Sequence, residues 1–208
     1  MDGSLIIEVE IQVYMDKLPS WESKNELHLD MMKLLESAKH CGDVQLQDET
    51  ETFSAHRLIL ETRAPKLASL AEGYPSDTLI PIQGIKPLAF RSLLRFIYAN
   101  DVEDLLDEAR ELLDVADRFG CKSLKLAAEA ELAASGITVD TAADLVMLGD
   151  SKNCALLKEA AINFFAANPA SVMSSSGWTN IRESAALLDE LMGFVFISKN
   201  RPAPANAP

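Results

Sequence analysis

The chain has 208 residues, of which 48% are apolar and 25% charged, ordinary proportions for a globular protein with room for one or two domains and a substantial core. Its formal net charge of −13 is the wrong sign for a phosphate backbone, so no nucleic-acid partner is expected. No apolar run approaches the roughly 18 residues of a membrane-spanning helix, and no membrane partner is expected either.

Met1-Asp2-Gly3-Ser4-Leu5 lacks the basic start of a secretory signal. Cys41, Cys121 and Cys154 are odd in number and far apart. Both features suit reduced thiols and an intracellular place, nucleus or cytoplasm.

Leu5 to Met15 alternates. Leu5, Ile7, Val9, Ile11, Val13 and Met15 share one face, and Glu8, Glu10, Gln12 and Tyr14 share the other with Ile6, the pattern of a half-buried strand. No second strand follows it; Pro19, Trp21 and Asn25 read as a linker. A helix is expected over Leu27 to Ser37, with Leu27, Met31, Leu34 and Leu35 on one face and His28 and Met32 beside them. That face is wide for a lone surface helix.

Asp43–Leu46 and Thr50–Ala55 read as a hairpin across Gln47-Asp48-Glu49. One helix is expected to start near Ala55-His56 and another at Pro65, a favoured first-turn residue. Leu79-Ile80-Pro81-Ile82 reads as a short edge strand, because proline gives the ladder no N–H. Pro87 opens a helix with Phe90, Leu93, Leu94 and Ile97 inward. Leu105, Leu106, Ala109, Leu112, Leu113 and Ala116 recur at helical spacing until Gly120, and a helix over Ser123–Ala134 stops at Ser135-Gly136. The block from Asp43 is therefore α+β.

A helical unit follows. Thr138 is expected as an N-cap with Asp140 in the first turn. Ala142, Leu145, Val146 and Gly149 form one buried face; Cys154, Leu157, Ala161, Phe164 and Phe165 form the next, ended by Asn168-Pro169. Ser174-Ser175-Ser176-Gly177-Trp178 reads as a loop before a last helix over Ser184–Phe196, and the Pro/Ala tail from Arg201 is expected to be disordered.

Asp43-Val44-Gln45-Leu46, Phe53-Ser54-Ala55-His56-Arg57, Phe90 to Tyr98 and Leu112 to Gly120, in that order, resemble the BTB/POZ domain, a protein-interaction module. Ile137 to Asp150, Leu157 to Phe164 and Val172 to Trp178 look like the helical 3-box or BACK region that follows BTB in speckle-type POZ proteins. Leu5 to Met15 is similar to the closing strand of the MATH domain that precedes it.

The chain is thus identified as a MATH-BTB family member with four expected regions. These are a MATH remnant and linker (1–24), BTB/POZ with its N-terminal helix (25–135), a 3-box/BACK-like region (136–198) and a disordered tail (199–208). Most of the MATH domain is expected to be missing.

The resemblance implies an adaptor for a cullin-3 RING ubiquitin ligase. BTB dimerises and docks the cullin-3 N-terminal domain, the 3-box enlarges that contact, and MATH takes protein substrates. Carried onto matching positions, the homodimer face is Leu27, His28, Met31, Met32, Leu34 and Leu35, with Asp43 and Arg57 as a charged pair nearby. The cullin face is Leu70, Glu72, Tyr74, Pro75 and Asp77 in the loop Leu70–Thr78, with Tyr98 in the segment running to Asp104. The family's apolar-x-Glu slot falls on Pro75-Ser76-Asp77, a departure from the pattern; Leu70-Ala71-Glu72 has the right types but lies where the preceding helix is expected to be running.

Catalytic readings are weaker than structural ones. Ser54-Ala55-His56 has no identifiable third group and no nucleophile elbow, so His56 is expected to satisfy backbone groups at a helix start. His40 with Cys41 lacks zinc-ligand spacing. Trp178 is expected as packing, and Glu103, Asp104, Asp107, Glu108 and Glu111 as a solvated face. No phosphate loop or HExxH is present, so neither an enzyme nor a cofactor is expected. Two readings stay open: a cullin adaptor, and a module that only self-associates.

Overall fold

The computed structural model describes residues 26–48, 50–76, 78–102 and 105–199. The strand expected over Leu5–Met15, the tail from Arg201, Glu49, Asp77, Glu103 and Asp104 lie outside the described residues.

A helix α1 (Leu27–Cys41) leads into β1 (Val44–Gln47) and β2 (Thr52–Ala55), then α2 (Arg57–Arg63), α3 (Pro65–Leu70), β3 (Leu79–Pro81) and α4 (Pro87–Ala99). The helix begins where the apolar spacing places it and runs four residues past Ser37, because Cys41 and Gly42 still donate back to the last turn. β1 and β2 pair antiparallel from Val44↔Ala55 to Gln47↔Thr52, and β3 adds parallel to β1, giving the order β2-β1-β3. Pro81 sits in the edge strand, where no ladder N–H is missed, and Ile82 closes the sheet by donating to Gln47 O at 2.8 Å.

Val44, Leu46, Phe53, Ala55 and Ile80 turn one sheet face into the core, which α4 covers with Phe90, Leu93, Leu94 and Ile97. Phe53 meets Phe90 edge-on at 4.9 Å, and Phe90 meets Phe119 at 5.9 Å, so an aromatic chain runs from the sheet to α5 (Leu105–Phe119). Asn100 ends α4 in the left-handed region, with its N–H on Phe96 O, a conformation asparagine tolerates.

Gly120, at φ +74, ends α5 with a reciprocal cap. Cys121 N–H reaches Ala116 O at 2.8 Å and Gly120 N–H reaches Asp117 O. That turn lays α6 (Lys122–Ser135) along α5.

The second unit is α7 (Ala142–Ser151), α8 (Ala155–Ala167), α9 (Pro169–Met173), α10 (Trp178–Arg182) and α11 (Ala185–Lys199). Thr138 caps the turn that leads into α7, its Oγ1 accepting the N–H of Thr141 (3.3 Å) and its C=O that of Ala142 (2.9 Å), while Thr141 Oγ1 accepts the Thr138 N–H. The unit differs from expectation at two points. Pro169 ends α8 yet opens α9, since a proline without an N–H suits a first turn. Trp178 starts a short helix, stacked on Phe165 at 5.1 Å and 12°.

α8 packs on α6. Glu129, 4% exposed on α6, accepts the N–H groups of Leu156 (2.7 Å) and Leu157 (3.2 Å) at the start of α8. Lys125 bridges Asp117 at 2.7 Å and Lys152 O at 2.6 Å, and Lys152 reaches Asp114 at 2.8 Å. One buried carboxylate and a short ion ladder thus join the two units.

Candidate functional site

The α1 face is open only in part. Met31, Leu34 and Leu35 pack against the core from outside, and Met32 is half-buried. Leu27 is 63% exposed and His28 is exposed. The inner side of that wide face is covered by α4 and β2, because α1 lies across both.

The uncovered part continues onto α2, where Leu58 is 72% exposed. Leu27, His28, Met31, Leu58, Ile59 and Ile97 are among the residues that line a groove of about 560 Å³. Leu58 and Ile59 were not among the expected site residues; three consecutive apolar residues, Leu58-Ile59-Leu60, on a short helix that can bury only one face are the signal that marks them.

Asp43 and Arg57 do meet, but not as a charged pair. Asp43 Oδ1 accepts the backbone N–H of Arg57 at 2.7 Å, satisfying a donor that the first turn of α2 cannot. The Arg57 guanidinium turns the other way and donates to Ala71 O (2.7 Å) and Tyr74 O (3.3 Å). It straps down the end of α3 and the turn after it.

His56, the N-cap of α2, was expected to satisfy backbone groups there, but its ring makes no cap bond and meets side-chain atoms instead. Its backbone N–H donates to Tyr98 Oη at 2.8 Å, Nδ1 lies 2.9 Å from the same oxygen, and Nε2 lies 3.3 Å from Cys41 Sγ. Tyr98 was assigned to the cullin face, and the structure corrects this: it is 5% exposed, its hydroxyl is engaged by His56, and burial pushes its pKa up to about 12. What little of it is accessible lines the groove between α1 and α2.

The remaining positions of that face are accessible. α3 ends at Leu70, so Leu70-Ala71-Glu72 is not inside a running helix. Leu70 is 40% exposed, Ala71 is buried, and Glu72, Tyr74 and Pro75 are exposed. The triplet offers an apolar side chain and a carboxylate on either side of an inward anchor. Asp77 lies outside the described residues.

A sheet of this order under α4, an N-terminal helix across it and an α5–α6 pair form the frame into which these surfaces are built. The BTB/POZ domain family matches residues 31–136. The chain belongs to the BTB/POZ family. Its α+β fold is therefore the BTB fold, and the match ends where α6 meets Gly136.

Among relatives, the BTB/POZ and MATH domain-containing protein 4 of Arabidopsis thaliana is 31% identical over 170 residues, covering 73% of this chain and 36% of that protein. The chain thus spans about a third of that relative's length. Similar solved structures include the BTB domain of zebrafish PATZ1 (TM-score 0.44, 22% identity, 59% of this chain and 96% of that one). Another is the BTB domain of human Gigaxonin (TM-score 0.43, 17% identity, 60% and 97%).

BTB domains are protein-interaction modules. Among the described residues no group of three His, Cys, Asp or Glu side chains is placed to hold a metal ion, and no helix is long and apolar enough to cross a membrane.

Proposed function

We propose that this BTB protein is a dimeric adaptor for a cullin-3 RING ubiquitin ligase. The observation that carries the reading is the pairing of two separate open surfaces on one frame. The first is the apolar groove between α1 and α2, continuous with the exposed Leu27 and Leu58, which suits a second copy of the chain. The second is the Leu70-Ala71-Glu72 turn held by Arg57, which suits the cullin-3 N-terminal domain. The helical unit after Gly136 takes the role of a 3-box/BACK extension on the same side of the reading.

Protein substrates enter this scheme through a MATH domain, as the name of the Arabidopsis relative suggests. The place of action is intracellular, nucleus or cytoplasm.

A second reading, self-association without cullin, is favoured by one feature: Pro75-Ser76-Asp77 is not an apolar-x-Glu sequence. Titration of purified cullin-3 N-terminal domain by calorimetry separates the two. The adaptor reading expects saturable binding that Glu72→Lys weakens about tenfold or more. Dimers that give no heat with the cullin domain would leave only the second reading.

A further inference from the structure

The sheet order β2-β1-β3 leaves β2 as an outer strand. Its register with β1 fixes which of its backbone groups are used. Asp48 N–H bonds Glu51 O, and opposed residues of an antiparallel pair alternate between bonded and unbonded, so Phe53 and Ala55 bond to β1. Thr52 and Ser54 therefore turn their N–H and C=O groups outward. The next N–H of that outward row, of His56, is met by Tyr98 Oη at 2.8 Å. The outward groups of Thr52 and Ser54 meet no backbone partner among the described residues. An open sheet edge of this kind is a template for another strand.

That edge opens into a groove of about 410 Å³ between β2, the C-terminal half of α1 and the middle of α4. Leu35 and Leu94 give it an apolar wall, and Lys39, Arg91 and Arg95 line it beside them. Glu51 is the one carboxylate of the lining; it meets Arg91, while Arg95 reaches Asp101 at 2.9 Å. Three cations against one carboxylate reverse the sign of a chain whose net charge is −13. The groove therefore suits an extended strand that is acidic and apolar by turns.

We infer that this groove is the docking site of the chain's own segment Leu5–Met15, added in extended form to the outer edge of β2. The segment has the two properties the groove asks for. Its apolar residues alternate with Glu8, Glu10, Gln12 and Tyr14, the pattern of a strand with one face to bury. Asp2, Glu8, Glu10 and Asp16 are acidic, and no Lys or Arg occurs before Lys17. A strand beside β2 lies about 4.8 Å from it and gives Thr52 and Ser54 their ladder partners. Its carboxylates then stand within a Debye length, about 8–10 Å, of the cations that line the groove.

The connection is long enough for one chain to supply both parts. Asp16–Asn25 joins the segment to the start of α1, and its ten residues span up to roughly 33 Å when extended. Lys39 lies twelve residues along α1 from Leu27, about 18 Å at the helical rise. The linker can therefore run back along α1 and deliver the segment to β2. No residue lines both this groove and the one between α1 and α2, so the inference stands apart from the adaptor reading.

The test uses the full chain and amide exchange read by NMR. Thr52 and Ser54 should exchange about tenfold or more slowly in the wild type than in the double variant Val9→Pro, Glu10→Pro. Successive N–H groups of a strand point to opposite sides, so one of two neighbouring prolines must face β2 and break the ladder. Phe53 and Ala55, bonded to β1, should keep their rates and report an intact sheet. Equal rates at Thr52 and Ser54 in the two chains overturn the proposal and leave the edge to an outside partner. Should the variant fail to fold, carbodiimide coupling of the wild type decides, since it joins only carboxylates and amines in contact. Glu8 or Glu10 coupled to Lys39 supports the proposal, and no such peptide overturns it. In an equal mixture of ¹⁴N and ¹⁵N chains the coupled peptides should carry one isotope; mixed peptides would put a second copy's segment in the groove and overturn docking within the chain.

Discussion

Glu129 has the clearest single-residue consequence. Its carboxylate is buried and serves two N–H groups at the start of α8 that no helical carbonyl reaches. Glu129→Ala leaves both donors unsatisfied and should cost about 2 kcal/mol in urea unfolding, with faster amide exchange at Leu156 and Leu157. Gly149 is equally constrained: a Cβ there would sit 2.9 Å from Lys158 N and Cβ, so Gly149→Ala should force α7 and α8 apart and lower the melting temperature. Asp117 carries a pH signature. The hydrogen bond from Lys125 holds its carboxyl below the usual 3.8, against an opposing push from burial. A depressed folded-state pKa contributes stability that is present above the unfolded value and lost as pH falls through the folded one. Urea titrations below about pH 4 should therefore show a shallower loss of stability in Asp117→Asn than in wild type.

At the scale of elements, α1 and the α3 turn make separable predictions. Leu27 is mostly exposed, so Leu27→Asp should leave the fold intact while light scattering shows a monomer in place of a dimer. Leu35 packs against the core, so a charge there would confound association with stability. On the other surface, Leu70→Ala should weaken cullin binding without changing the oligomeric state, because Leu70 is exposed while its neighbour Ala71 does the anchoring. Arg57 ties that turn to α2 through two carbonyls; Arg57→Ala should raise exchange at Gly73 and Tyr74 even if the dimer is unchanged.

The whole molecule is expected to unfold as one unit. The α6–α8 packing, the Glu129 cap and the Lys125–Lys152 ladder couple the BTB frame to the helices that follow it. Calorimetry of the wild type should give a single transition whose calorimetric and van't Hoff enthalpies agree. Cutting the chain after Gly136 uncovers the side of α6 on which α8 lies, including Leu132, and should yield a less stable, aggregation-prone domain.

Period and punctuation in the sequence were enough for the element order from α1 to α8, the edge strand with its proline, and the inward faces of α4, α7 and α8, because local spacing and helix stops need no tertiary information. The BTB family was legible through the resemblance of particular segments, among them Phe53 to Arg57 and Leu112 to Gly120. What only the tertiary structure decided is where charged and polar side chains point. Arg57 follows Asp43 in the same local frame, yet its long side chain reaches carbonyls that chain order places well downstream. Tyr98 reads like a helix-end residue open to a partner, but the His56 backbone comes across to bury it. That same arginine bonds Ala71 O just after α3 ends at Leu70. Glu129 sits one position off the Leu124–Ala128–Leu132 stripe, and only the arrival of α8 gives its carboxylate a purpose. Apolar periodicity is a property of the local chain, whereas a hydrogen bond between distant segments exists only after the fold has brought them within 3 Å or so of each other.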